Sequence, residues 1–408
     1  MTATKPDTKP VASTRGAYLK LPKGIWVLGF VSLFMDVSSE LVHSLLPVFM
    51  TTVLGASLLT VGVVEGVAEA AAMIIKVFSG AISDYFGKRK LLALLGYSLG
   101  AASKPFFPLA VSMTWVFGAR LVDRIGKGIR GAPRDALVAD ISPDGVRGAA
   151  YGLRQALDSV GAFIGPLLAI VFMYLLHDHV KSVLWLAVAP AFLSVLLLAA
   201  GVDEPHSRHA TASNRRLLFI NVRQLHRRYW IVVTIGAVFT LARFSEAFLI
   251  LRALDVGLSA GYVPLIMVVM NIVYSAFAYP AGAAADRVAA RTLLVFGLLM
   301  LIIADIILAL ATGPGIAILG AAFWGLHMAF TQGLLAKLVA DTAPAGLRGT
   351  AFGVFNLICG GAVLIASVVA GGLWNTFGAP ATFIAGAIFA ALAATGMLLY
   401  HPGKYADR

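Results

Sequence analysis

Long apolar stretches separated by short polar turns run through the whole chain. They lack the strict alternation, in runs of about ten residues, that strands of a membrane barrel show. Stretches of roughly 20 apolar residues, enough for a helix to cross a bilayer, fall at about 24–50, 57–82, 91–110, 113–138, 149–176 and 182–202. Six more follow at about 229–251, 260–283, 292–312, 315–340, 349–374 and 379–400. The pattern predicts an all-α membrane protein with twelve transmembrane helices.

The turns between these stretches repeat. Gly80-Ala-Ile-Ser-Asp84-Tyr-Phe-Gly87-Lys88-Arg89 returns as Gly282-Ala-Ala-Ala-Asp286-Arg-Val-Ala-Ala-Arg291, with glycine, aspartate and arginine each displaced by 202 residues. Asp140-Ile-Ser-Pro143 to Arg147-Gly148 matches Asp341-Thr-Ala-Pro344 to Arg348-Gly349 at a displacement of 201. A repeat of about half the chain predicts two related halves. Asp203-Glu-Pro-His-Ser-Arg-His, polar and free of hydrophobic periodicity, marks the connection between them. The expected division is a tail over 1–22, a six-helix half over 23–202, a basic linker over 203–228, a second six-helix half over 229–400 and a tail over 401–408. Leu217–Tyr229 is expected to form a short helix on the membrane surface.

Composition reinforces the membrane assignment: 59% of residues are hydrophobic and 13% charged, with mean hydropathy +0.87. The net charge of +12 would suit nucleic acid, but its distribution points elsewhere. Lysines and arginines crowd the tails, the linker and one set of loops, whereas the turns near 51–56, 110–113, 312–315 and 374–379 carry none. This is the asymmetry that places basic loops in the cytoplasm. Both termini are therefore expected on the cytoplasmic side of a cell (inner) membrane, with lipid as the surrounding partner and no nucleic acid. The first apolar run is too long for a signal peptide and lacks a cleavage site. A single cysteine, Cys359, excludes a disulfide framework or a cysteine metal cluster.

Twelve crossings in two repeats, a central linker and the motif Gly80-x-x-x-Asp84-x-x-Gly87-Lys88-Arg89 resemble the major facilitator superfamily along essentially the whole chain. The resemblance implies two pseudo-symmetric six-helix halves that rock to expose a central cavity to either side, lined by crossings 1, 4, 7 and 10. It also implies a gating latch of Gly80, Asp84, Gly87, Arg89 and Arg147, with second-half counterparts Asp286, Arg291 and Arg348. Physically, Gly87 permits a tight turn, and an aspartate at Asp84 suits a neighbouring helix N-terminus. The second copy departs from the pattern, with Ala289 in the place of Gly87 and Ala290 in that of Lys88.

Charges inside a membrane are costly and mark candidate functional positions. Asp36, Glu40 and His43 share one face of the first crossing by their spacings of four and three. Glu65, Glu69 and Lys76 lie on the second, where Glu65 is expected too near the end of the helix to be buried. Glu40 is the leading candidate for a proton-coupling carboxylate, with Asp36 second, because an apolar setting penalises the ionised form. The competing reading is a static network of ion pairs that holds helices together.

The fourth crossing places Arg120, Arg124, Lys127 and Arg134 along one face, with Asp123 among them. It is similar to the family pattern R-x-x-Q-G-x-G-x-G, with Arg120 on the functional arginine and Asp123 where the glutamine stands. This stripe either attracts an anionic solute or answers the acids of the first two crossings and Asp158. Internal pairing is the favoured reading. On the fifth crossing, Gly161-Ala-Phe-Ile-Gly165-Pro166 resembles the antiporter motif of the family without its last two glycines, and Arg154, Gln155 and Asp158 are further cavity candidates. In the second half, Arg243 and Glu246 are spaced to pair, and Asn271, Tyr274, Asp305, His327, Gln332 and Asn356 are the other polar intrusions.

These features imply secondary active transport of a small solute, driven by the proton gradient and directed outward. The protein is expected as a monomer, with no cofactor beyond the proton as coupling ion. No phosphate-binding loop of the G-x-x-x-x-G-K-[ST] type occurs. Export of a divalent transition metal or its chelate, held by Asp36, Glu40 and His43, is an alternative, as oxygen and imidazole ligands suit such ions. A membrane enzyme or sensor is the remote one, since no nucleophile–base constellation stands out.

Overall fold

The computed structural model describes residues 21–143, 146–204, 222–285, 287–332, 334–344 and 347–399, with the side chains of residues 84 and 223 outside the description. Among these residues the chain is helical and contains no strand. The first half comprises Lys23–Val48, prolonged by a π turn over Phe49–Val53 (α1), and Leu58–Phe86 (α2). Next come Arg89–Ser103 with Phe106–Leu109 (α3), Met113–Ile141 (α4), Arg147–Leu175 (α5), and Val180–Leu186 with Val188–Gly201 (α6). The second half comprises Arg227–Leu241 with Ala247–Asp255 (α7), Leu265–Ala285 (α8) and Ala290–Ala309 (α9). Pro314–Thr331 with Leu334–Thr342 (α10), Arg348–Phe377 (α11) and Ala379–Leu399 (α12) complete it. The surface helix expected over Leu217–Tyr229 falls largely outside the described residues; the described part is a 3-10 turn over Val222–Gln224 and the start of α7.

Nine of the described helices are long and apolar enough to cross a membrane. The other three crossings fall short for separate reasons. α3 is cut at Lys104-Pro105, where proline cannot donate to the helix ladder. α4 carries too many charges along its length. α7, expected to be continuous, opens between Leu241 and Ala247. There the Ser245 N–H donates to Ser367 Oγ of α11 at 3.2 Å, so a side chain of a neighbouring helix satisfies the interrupted backbone.

Glycines let the helices approach closely. A Cβ at Gly161 would stand 2.7 Å from the Leu33 carbonyl oxygen, and one at Gly165 would stand 2.7 Å from that of Val37 and 2.9 Å from the Leu41 nitrogen. The Gly161–Pro166 motif therefore fixes α5 against α1. Between halves, a Cβ at Gly62 would meet the Ser367 oxygen at 2.2 Å, and one at Gly371 the Leu58 oxygen at 2.4 Å. The pair α2 and α11 thus forms the principal seam, and α5 and α8 form a second, where Asn271 Nδ2 donates to the Ala162 oxygen at 3.1 Å.

The halves interlock at the end opposite the basic loops. Val48 belongs to the apolar core of the second half, while Ala247 and Leu251 of α7 belong to that of the first. On the outside, Leu95, Leu196, Ile272, Leu299 and Ile388 are exposed, as expected of surfaces whose solvent is lipid.

Candidate functional site

The polar interior is built around α4. Fully buried Arg120 directs Nη2 to Glu65 Oε2 of α2 at 2.7 Å. Its Nη1 lies 3.8 Å from Asp123 Oδ2, and Glu69 Oε1 stands 4.0 Å from Nη2. One turn on, Arg124 Nε pairs with the same Glu69 oxygen at 3.2 Å. Asp123 Oδ1 receives Lys104 Nζ of α3 at 2.7 Å; that ammonium also donates to Ser39 Oγ of α1 at 3.1 Å. Towards the basic end, Arg134 donates to Ser32 Oγ at 3.2 Å and lies 3.2 Å from Asp135 Oδ1. Arg154 and Asp158 of α5 pair at 2.6 Å, with Arg134 3.9 Å from the same carboxylate.

The basic stripe is thus answered largely from within the first half. Buried charges need such partners, because each leaves its hydration behind. Lys127 is different: it is exposed, with no ion pair among the described residues, yet it acts electrostatically on Asp36, Glu40 and Glu69. Glu40 and Glu69 keep 19% and 30% of their side-chain surface open. Glu40 Oε2 stands 3.4 Å from His43 Nδ1, and His43 Nε2 is buried with no partner among the described residues. Asp36 sits against Gly161 of α5. From the second half, Glu246 comes within electrostatic range of Glu40, His43 and Glu69. These groups converge where the halves face each other.

Several expectations are corrected. Glu65 is not near the surface: it is completely buried, because α2 runs beside α4 at that level and Arg120 reaches it. Arg243 and Glu246 form no ion pair among the described residues, since the spacing of three presumes a helix and both fall in the break of α7. Arg243 instead lies over the Phe239 ring at 5.9 Å. His327 does not line the interface between halves. It is fully buried within the second half, with Nδ1 2.8 Å from the Gly297 oxygen and its ring against Phe239 and Trp324. Asp36, Glu40 and His43 do not converge as a ligand set; among the described residues no three His, Cys, Asp or Glu side chains could hold a metal ion.

At the basic end, Arg89 Nη1 pairs with Asp140 Oδ2 at 2.6 Å and donates to the Ala136 oxygen at 3.2 Å, joining α3 to α4 within one half. Arg291 Nη2 donates to the Leu398 oxygen, joining α9 to α12 in the other. Gly87 caps α2 in the left-handed region at φ 63°, and Gly80 faces Ala132 of α4. Arg147 and Arg348 begin α5 and α11. The Asp84 side chain and Asp286 lie outside the described residues.

Two interior cations escape sequence reasoning. Lys104, completely buried, interrupts an apolar run just before a proline, and a lone intramembrane lysine is itself a signal. Arg130, also buried, sits over the Tyr97 ring at 5.0 Å, and spacing alone does not separate it from its neighbours on α4.

The family model described as the Major Facilitator Superfamily matches residues 28–251 and 235–408. An uncharacterized MFS-type transporter of Methanocaldococcus jannaschii is 31% identical over 390 residues, 93% of this chain and 95% of that protein. The multidrug resistance protein MdtH of Yersinia pestis is 28% identical over 178 residues, 44% of this chain and 42% of its own. In fold, the crystal structure of a D-xylose-proton symporter agrees with a TM-score of 0.72 at 17% identity, over 93% of this chain and 97% of that one. Helical architecture, a charged interior between two halves and similarity along nearly the whole length lead to one assignment: this chain belongs to the major facilitator superfamily, as a multi-pass transporter of small solutes and not an enzyme.

Proposed function

We propose that the protein exports a small solute in exchange for protons, by alternating access across the inner membrane, as a monomer with both termini in the cytoplasm. One observation carries this reading: beside the buried Arg120, Arg124 and Asp123, Glu40 and Glu69 remain partly open next to Lys127, which is exposed and has no ion pair among the described residues. Carboxylates in that position can trade a proton for a solute group, since both compete for one negative charge. Glu40 is the coupling carboxylate and His43 its nearest partner; Asp36, Asp158 and Glu246 complete the charged wall. Partial similarity to a multidrug resistance protein supports the outward direction.

Gating follows from the loops at the basic end. Gly80, Asp84, Gly87, Arg89 and Arg147, with Asp286, Arg291 and Arg348, hold that end shut in the outward-open state. They part when the opposite end closes, the state in which Val48, Ala247 and Leu251 interlock.

Inverted membrane vesicles with an acidified interior and a pH-sensitive dye test the reading. Cationic drugs, organic anions and divalent metals are added in turn to vesicles bearing the wild type or Glu40→Gln. A solute that evokes proton release from wild-type vesicles alone supports exchange through Glu40. Silence across the panel, with the protein verified in the membrane, counts against proton-coupled export of those classes.

A further inference from the structure

Asp305 of α9 has no part in the network described above. Its exposure is nil, and neither carboxyl oxygen has a hydrogen-bond partner among the described residues. α9 packs against α10 and α12. On α12, a Cβ at Gly386 would stand 2.6 Å from Asp305 Oδ2 and 3.0 Å from the Phe244 ring, so the carboxyl lies against the α12 backbone in the space that the missing side chain leaves.

Among the described residues no ion pair joins Asp305 to a cation; Lys337 and Asp341 belong to the Leu334–Thr342 piece of α10, which follows the piece that carries His327. The segment Ala379–Leu399 of α12 has no titratable residue. Pro314–Thr331 of α10 has one, His327, whose Nδ1 faces the Gly297 carbonyl. Nδ1 then carries the hydrogen, and buried Nε2, without a partner among the described residues, presents a lone pair in the neutral ring. From α7, Arg243 lies over Phe239, and Arg252 is engaged by Asp255 and by the carbonyls of Leu308, Ala309 and Ala311.

The repeat sharpens the contrast. At the 201-residue displacement, Lys104 corresponds to Asp305 and Asp123 to Trp324. The first half fills these places with a buried ion pair. The second fills them with a carboxyl and an indole whose Nε1 has no partner among the described residues. An ionised carboxylate in such surroundings has neither charge nor donor to offset its lost hydration, and neutralisation is the physical way out.

We propose that Asp305 is a proton-binding site of the second half, occupied in this conformation, so that the side chain is a neutral carboxylic acid. The proton comes from solvent and joins a carboxylate oxygen; no other group changes state. This site is separate from Glu40 and stands or falls independently of the coupling proposed there.

Infrared difference spectroscopy on the purified full-length transporter in lipid tests it, comparing wild type with Asp305→Asn at neutral pH. The expected result is loss of a protonated-carboxyl C=O stretch, one that shifts on transfer to heavy water. Loss of carboxylate bands instead would overturn the proposal. Thermal unfolding adds a second reading: alkaline buffer, which draws the proton off, should lower the melting temperature of wild type more than that of the variant. Equal alkaline loss in both proteins would count against it. Should the variant fail to reach the membrane, wild type alone decides, because absence of any protonated-carboxyl band at neutral pH sinks the idea.

Discussion

Glu65 of α2 and Arg120 of α4 meet at 2.7 Å with no solvent exposure on either side chain. Removing Glu65 leaves buried Arg120 with only the longer approaches of Asp123 at 3.8 Å and Glu69 at 4.0 Å, which places the cost at the lower end of the about 3–5 kcal/mol expected when a buried ion pair is broken. Glu65→Ala is therefore expected to lower the thermal unfolding midpoint sharply in detergent. Replacing both groups, as Glu65→Leu with Arg120→Met, should recover most of the loss. A double variant no more stable than the single one would show that the pair is not the source of the effect.

Gly165 offers a test of the α1–α5 seam. Its missing side chain leaves room for the Val37 carbonyl and Leu41 amide, which a Cβ would meet at 2.7 and 2.9 Å. Gly165→Ala must push two helices apart, with an overpacking cost of roughly 1–3 kcal/mol. Gly282→Ala meets nothing within 4 Å and serves as the control. Thermal unfolding of both variants is the measurement, and equal midpoints would show that α1 yields freely.

Sequence pattern carried the helical architecture because a lipid solvent demands unbroken apolar runs, and those are visible without coordinates. It carried the acid–base complement on α1, α2, α4 and α5 for the same reason: intramembrane charges stand out. Pairing was less legible. Glu65 finds Arg120 through the lateral approach of α2 and α4, which no spacing within one helix reports. The break in α7 was invisible because residues 242–246 contain neither glycine nor proline. It depends on Ser367, 122 residues away, accepting from the Ser245 amide. His327 read as a cavity group by its crossing, yet its rotation about α10 turns it towards Gly297 of α9.

Arg252 secures the end of α9 from a different helix. Its Nε donates to the Leu308 oxygen at 2.9 Å and its Nη2 to the Ala309 and Ala311 oxygens at 3.2 and 2.8 Å, while Asp255 holds Nη1 at 2.5 Å. Helix carbonyls left open at a C-terminus favour a cation. Arg252→Met removes all three carbonyl contacts and is expected to cost roughly 3 kcal/mol, given about 1.5–3 kcal/mol for a hydrogen bond to a charged group. Arg252→Lys keeps the charge but loses the planar fork, and should fall between. Hydrogen exchange of the amides near Leu308 is the local readout. Unchanged protection there in the Met variant would deny the capping role.

Lys127 distinguishes the accessible part of the interior from the sealed part. It is exposed midway along α4, whereas Arg120 and Arg124 on the same helix are buried. The native cysteine, Cys359, is only 4% exposed and gives little background. Lys127→Cys should accept a membrane-impermeant maleimide from the side of the basic loops, because the opposite end is closed by Val48, Ala247 and Leu251. Ser112→Cys, in the exposed turn before α4, should be labelled from the other side only. Inverted and right-side-out vesicles present the two faces separately, so the two variants report opposite orientations. Labelling of Lys127→Cys from the same face as Ser112→Cys would mean that the interior opens at the charge-poor end, and that the closure formed by these three residues does not hold in the membrane.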